Sequence, residues 1–146
     1  MQTPQKPPPS ETIHATCVAL GARGVLILGA SGAGKSALGL ELMAYGARLV
    51  ADDQTIITRQ GDAIIATCPP QIKGMIEARG LGLLAAEPLC QSQICLIVDL
   101  SRVETERLPP KRQSELLGVP IDLVFAATSR HFPFGVLQLL RTRRVD

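Results

Sequence analysis

The chain has 146 residues, the length of one domain at the usual ~100–200 residues each, and its 46% hydrophobic and 19% charged residues exclude a disordered chain. Fifteen Lys and Arg against thirteen Asp and Glu leave a formal charge of +2, so no bulk electrostatic footprint points to nucleic acid or a membrane surface. The longest unbroken aliphatic run, Ile94-Cys95-Leu96-Ile97-Val98, is far short of the ~20 residues of a membrane helix, and no apolar stretch follows Lys6 as in a secretory signal, so a cytoplasmic protein is expected.

Residues 1–11 hold four of the eleven prolines (Pro4, Pro7, Pro8, Pro9) and read as a flexible lead-in to a domain over residues 12–146. From Thr12, Ile13, Cys17 and Leu20 lie among polar or small residues, which predicts an early strand ending at Gly21. Val25-Leu26-Ile27-Leu28, bounded by glycines, predicts a buried strand. A helix is predicted from Lys35 to Tyr45, because Leu38, Leu42 and Tyr45 fall at i, i+4, i+7 and Gly46 stands where a C′ glycine would. Leu49-Val50-Ala51 leads into Asp52-Asp53. Ile56-Ile57-Thr58 is extended, and Gln60-Gly61-Asp62 turns the chain back through Ala63 to Thr67.

Pro69-Pro70 marks a loop, and Glu77 to Leu83, taken alone, reads as a flexible glycine-bearing loop. Ile94 to Leu100 predicts a second buried strand, and Glu104 to Leu117 is polar and broken by Pro109-Pro110. The last amphipathic stretch, Phe134 to Leu140, runs into Arg141, Arg143 and Arg144, which complement a helix C-terminus. The pattern as a whole is α/β, a strand–loop–helix unit with mixed strands around it. Cys17, Cys68, Cys90 and Cys95 form no CxxC, so free thiols are expected rather than a zinc site.

Gly29-Ala30-Ser31-Gly32-Ala33-Gly34-Lys35-Ser36 fits GxxxxGK[ST] at every fixed position. The glycines let backbone N–H groups turn inward around a polyphosphate, Lys35 reaches the β- and γ-phosphates, and Ser36 can ligate Mg²⁺. The following helix N-terminus adds its partial positive charge. A chance match in a chain of this length is roughly a one-in-a-few-hundred event.

Such a loop works with an acid at the end of a neighbouring strand, and two candidates follow apolar runs: Asp52-Asp53 and Asp99. By spacing, Asp99 is an ordinary Walker-B acid, and the pair at 52 and 53 could be a solvated turn. Adjacent carboxylates beside phosphate have a particular use, however. Mutual repulsion lets one take a hydroxyl proton while the other stays ionised toward a metal.

Four features together resemble the HPr kinase/phosphorylase family, the bifunctional bacterial serine kinases of the phosphotransferase system. They are His14 fifteen residues before Gly29, the loop Gly29 to Ser36, the run Gly46-Ala-Arg-Leu-Val-Ala-Asp-Asp53, and Ile76-Glu-Ala-Arg-Gly-Leu-Gly-Leu83. The resemblance implies an α/β catalytic domain that uses ATP and Mg²⁺ to phosphorylate a serine of an HPr-type phosphocarrier, with neither nucleic acid nor membrane as partner. It further implies a homo-oligomer, hexameric in the family, and a reverse, phosphate-dependent dephosphorylation that yields pyrophosphate. Carried onto this chain, the family pattern has Lys35 and the loop hold the nucleotide, and Ser36 and Glu77 hold Mg²⁺. Asp52-Asp53 then exchange the serine proton with His14 close by, and an arginine past Asp99 is catalytic. Arg107 matches that arginine best, with Arg102 and Arg112 as competitors.

The chain departs from the pattern in having eleven residues before the core, where the family has a further N-terminal domain. It also has Phe125-Ala-Ala-Thr-Ser-Arg-His131 where the family has a VRPGRN-like motif. Two other readings stand beside this one: a small-molecule kinase with Asp99 as its Walker-B acid, and a nucleotide sensor that binds without catalysis.

Overall fold

The structure, a computed structural model, describes residues 6–146, so Pro4 and the start of the expected lead-in lie outside the described residues. Pairing begins at Ser10, within the segment read as lead-in, and the expected single early strand is two. Strand β1 (Ser10–Ile13) and strand β2 (Ala15–Leu20) are separated by a bend at His14. The alternation of side chains continues through His14, so nothing local marks the break. A tertiary bond makes it: the Ala15 N–H donates to the Asp53 carbonyl at 3.0 Å.

β3 (Arg23–Leu28) pairs antiparallel with β2 and feeds helix α1 (Lys35–Ala44). Gly46, at φ 109, ends α1 as expected: its N–H donates to Met43 at 3.1 Å while the Ala47 N–H donates to Leu42 at 3.1 Å, the paired bonds of a Schellman cap. Then come β4 (Arg48–Ala51), the hairpin β5 (Thr55–Gln60) and β6 (Ala63–Thr67), and a single 3-10 turn at Pro70–Ile72. The segment expected to be a flexible loop is a hairpin of its own, β7 (Met75–Ala78) with β8 (Gly82–Ala85). β9 (Gln91–Val103), β10 (Arg112–Leu116), β11 (Val119–Ala126) and helix α2 (Phe132–Arg141) complete the chain.

β9 is the hub of the fold. One edge pairs in parallel with β3, and the other is shared by β6 near Gln91–Gln93 and by β11 from Leu96 onward. The curled, mixed sheet runs β1-β5-β6-β9-β3-β2-β4, with β11 and β10 as a branch. Because strand side chains alternate, Val25 and Ile27 join the cluster under the two helices while Leu26 joins a second cluster on the other face. Leu42 of α1 is fully buried in the first cluster, and truncating it to Ala costs about 2–5 kcal/mol. Tyr45 is half-exposed instead of sitting in the core, its ring edge-on to Phe134 at 4.9 Å. Among the described residues no helix is long and apolar enough to cross a membrane.

Candidate active site

The β3–α1 connection is built as the motif requires. A Cβ on Gly29 would stand 3.0 Å from that of Ala33, and Gly34, at φ 101, precedes the helix in a conformation other residues rarely adopt. Between them the Ala33 N–H closes a turn on the Ala30 carbonyl at 2.9 Å. Lys35 is buried in the loop, and its Nζ donates to the carbonyls of Gly29 at 2.8 Å and Ala30 at 3.2 Å. The first turn of α1 carries no acidic residue of its own, and the positive end of the helix dipole faces the loop.

The acidic pair divides in two. Asp52, buried at the end of β4, accepts from Thr16 Oγ1 at 2.8 Å, from Ser36 Oγ at 2.6 Å and from the Glu77 N–H at 2.9 Å. Ser36 thereby spends its proton on Asp52 and keeps its oxygen lone pairs free for a cation. Asp53 follows at φ 68, a left-handed conformation that Asp adopts more readily than most residues. Its amide donates to Thr16 Oγ1 at 3.3 Å and its carbonyl accepts from Ala15, which fixes this geometry. The two carboxylates therefore diverge. Asp53 Oδ1 lies 3.3 Å from His14 Nε2, and both side chains are more than half exposed.

Asp53, Glu77 and Arg79 line one cavity of about 510 Å³ together with Ser31, Gly32 and Gly34 to Ser36. The β7–β8 hairpin is the wall opposite the loop, anchored by Ile76 in the core and by the Glu77–Asp52 bond. Arg79 Nη2 lies 3.7 Å from where a Cβ on Gly32 would stand. The structure thus gathers the loop, Lys35, Ser36, Asp52, Asp53, Glu77 and His14 into one neighbourhood.

Arg107 is not part of that lining. It lies on a different cavity with Glu104, Pro109 and Phe132, because the segment after β9 packs toward α2. The arginine that faces the loop is Arg79, and its place in the Glu-Ala-Arg segment beside Glu77 is the sequence signal for it. Thr16 had none, being one small polar residue in a strand. Asp99 sits on β9 beside Leu28, yet its carboxylate accepts from the Ser101 amide at 2.9 Å and hydroxyl at 2.5 Å and lies 4.0 Å from Arg102. Asp52, not Asp99, is the acid bonded to Ser36.

Comparison with known proteins gives one answer. The family model of the HPr Serine kinase C-terminal domain matches residues 5–125. The chain is 43% identical to the HPr kinase/phosphorylase of Ralstonia nicotianae and 42% identical to that of Cupriavidus necator, in each case over 94% of its own length. Those alignments cover 48% and 49% of the relatives, so the chain spans about half the length of the curated relatives it matches. Its fold is similar to the structure of the Hpr(Ser) kinase/phosphatase from Coxiella burnetii, with a TM-score of 0.73 and 25% identity, covering 90% of this chain and 94% of that one.

Proposed function

This chain belongs to the HPr Serine kinase C-terminal domain family, and from that premise we propose that it is an ATP- and Mg²⁺-dependent serine kinase of an HPr-type phosphocarrier. The observation that carries the reading is the divergence of two adjacent carboxylates. Asp52 is buried and bonded to Ser36, while Asp53 is exposed at the cavity beside His14.

In this reading the backbone amides of Gly29 to Ser36 and the Lys35 ammonium bind the polyphosphate. Ser36 and Glu77 would hold Mg²⁺. Both are hard oxygen donors, the type that cation takes, and they sit on facing walls of one cavity. Bound Mg²⁺ supplies charge neutralisation at the phosphate oxygens. Asp53 takes the proton of the acceptor serine as it attacks, and His14, with Nε2 3.3 Å from Asp53 Oδ1, orients that carboxylate. Asp52 positions: it keeps the Ser36 hydroxyl oriented and ties the Glu77 backbone to the loop. Arg79, across from Gly32, adds a cation where charge spreads during transfer. Arg107, which lines a different cavity beside α2, is left outside this set.

A cytoplasmic location and assembly into a homo-oligomer belong to the same reading, the latter measurable by light scattering. The deciding experiment is transfer from γ-labelled ATP to HPr-type carriers with the carrier serine mapped by mass spectrometry. Label on that serine supports the kinase. Tight ATP binding without label on any protein or small acceptor supports the sensor instead, and label on a small acceptor supports the small-molecule kinase.

A further inference from the structure

Strand β2 delivers one hydroxyl to the interior beside the acidic pair. Thr16 is fully buried, and its oxygen bonds to both halves of that pair. Oγ1 donates to Asp52 Oδ1 at 2.8 Å and accepts from the Asp53 N–H at 3.3 Å. A hydroxyl carries one proton, so donation to Asp52 leaves its lone pairs for Asp53 and fixes the direction of both bonds. Asp52 Oδ1 also accepts from Ser36 Oγ at 2.6 Å. One chain of hydrogen bonds therefore runs from the Asp53 backbone through Thr16 and Asp52 to Ser36 in the first turn of α1.

Packing holds that hydroxyl in place. A Cβ on Gly39 would stand 3.2 Å from Thr16 Cγ2, so the bare Gly39 lets α1 close on the Thr16 methyl. Glycine is disfavoured in a helix interior, and this close approach is its local reason here. A β-branched side chain has few χ1 choices, so a methyl seated against α1 sends Oγ1 toward the acids. The strand has a second, separate clamp. The Ala15 N–H donates to the Asp53 carbonyl at 3.0 Å, and buried Thr55 donates its hydroxyl to the Ala15 carbonyl at 2.9 Å.

We propose that Thr16 is a positioning residue for the transfer, setting Asp53, the base, relative to Ser36, the cation ligand. The inference rests on the kinase reading of this site. Without the hydroxyl, Asp53 keeps its carbonyl bond to Ala15 and loses the bond on its amide, so its left-handed geometry loosens. A base displaced by about 1 Å slows transfer by about 10²-fold. Nucleotide binding is insulated from this change, because Asp52 keeps its bonds from Ser36 and from the Glu77 N–H.

The test separates the two halves of the threonine side chain. Thr16→Val keeps the methyl groups and removes the hydroxyl, whereas Thr16→Ser keeps the hydroxyl and removes the methyl. With γ-labelled ATP and an HPr-type carrier, Thr16→Val should lower kcat by about 10–10²-fold while its affinity for Mg²⁺–ATP stays within about threefold. Thr16→Ser should recover most of that rate. Hydrogen exchange in the nucleotide-free chain reads the same bond without turnover. The Asp53 amide should exchange about tenfold faster in Thr16→Val, and near the wild-type rate in Thr16→Ser. The opposite order, with Thr16→Ser slow and Thr16→Val at the wild-type rate, would make Thr16 a packing residue and overturn the proposal. Equal Asp53 exchange in all three chains would overturn it too. A wild-type chain that labels no acceptor refutes the kinase reading, and amide exchange then judges Thr16 by itself. If Thr16→Val does not fold, Thr16→Ser decides: a kcat loss of about tenfold or more overturns the proposal, and a smaller one supports it.

Discussion

Ser36 donates its hydroxyl to Asp52 at 2.6 Å, and this bond separates two neighbouring carboxylates that the sequence presents as equivalent. Asp52→Asn puts an amide NH₂ among three donors and leaves one unpartnered, a cost of about 1–3 kcal/mol. It should lower the unfolding midpoint and weaken Mg²⁺-dependent nucleotide binding together. Asp53→Asn keeps a residue that tolerates φ 68, so fold and nucleotide affinity should survive while transfer slows by about 10²–10⁴. Asp99→Asn, which disturbs Ser101 and not Ser36, should leave transfer within a few-fold of wild type. A larger loss from Asp99→Asn than from Asp53→Asn would favour the small-molecule kinase.

Lys35→Ala removes the one buried cation of the loop. Transfer should fall by at least about 10²–10³, the typical result of losing one preorganised donor to developing charge. The melting temperature should move by no more than about 4 °C, the shift of roughly 1 kcal/mol in a domain of this size. A folded variant that transfers at the wild-type rate would remove Lys35 from the mechanism.

Phosphorolysis should be slower than the forward reaction. Inorganic phosphate must be gripped in line with a phosphoserine, and the segment after β11 offers one exposed basic side chain, Arg130, where the resembling family carries two. Pyrophosphate release from phosphorylated carrier at millimolar phosphate, set beside the forward rate with ATP, measures this. Equal rates would show that the loop alone holds the phosphate.

The hydrogen bond from Arg112 holds the Glu104 carboxyl below its ordinary value. A depressed carboxyl contributes stability that is present above the ordinary carboxylate range and is lost as pH falls through the lowered folded value. Glu104→Gln should therefore be less stable than wild type near pH 7, and the gap between their urea midpoints should close as the pH falls below the ordinary carboxylate range. A gap that stays constant or widens on acidification contradicts the assignment.

Burial pushes the Cys17 thiol up to about 12, so it carries almost no thiolate at neutral pH. Under native conditions a maleimide should label exposed Cys90 and spare Cys17 until the chain unfolds. Mapping by mass spectrometry decides; equal labelling of the two would show that the β2 core opens readily.

Local signals make the loop, α1, β3 and the middle of β9 legible in the sequence itself. A fixed motif, a 3.6-residue period with a terminal glycine, and two short aliphatic runs each lie within a few residues of sequence. What stayed hidden depends on distant partners. The break at His14 comes from a bond between Ala15 and Asp53, and Gly80 and Gly82 read as flexibility until Ile76 is seen anchoring their hairpin. β11, interrupted by Pro120 and Asp122, is a strand because Leu96 to Val103 offers it an edge. Distance past Asp99 fixes the position of Arg107 along the chain, and the turn after β9 then sets it on the cavity beside α2.

The central place of β9 also sets an order for biosynthesis. Along Arg23–Leu28, the edge of β3 that precedes the phosphate loop pairs with Gln93–Asp99, made long after the loop itself. A chain leaving the ribosome can close the β2–β3 hairpin and the β5–β6 hairpin at once, since both are local. It cannot join them into one sheet until β9 emerges, and during that interval an apolar strand edge stands open to other nascent chains. Fragments that stop before Gln91 should accordingly aggregate in place of folding, however complete their nucleotide-binding motif.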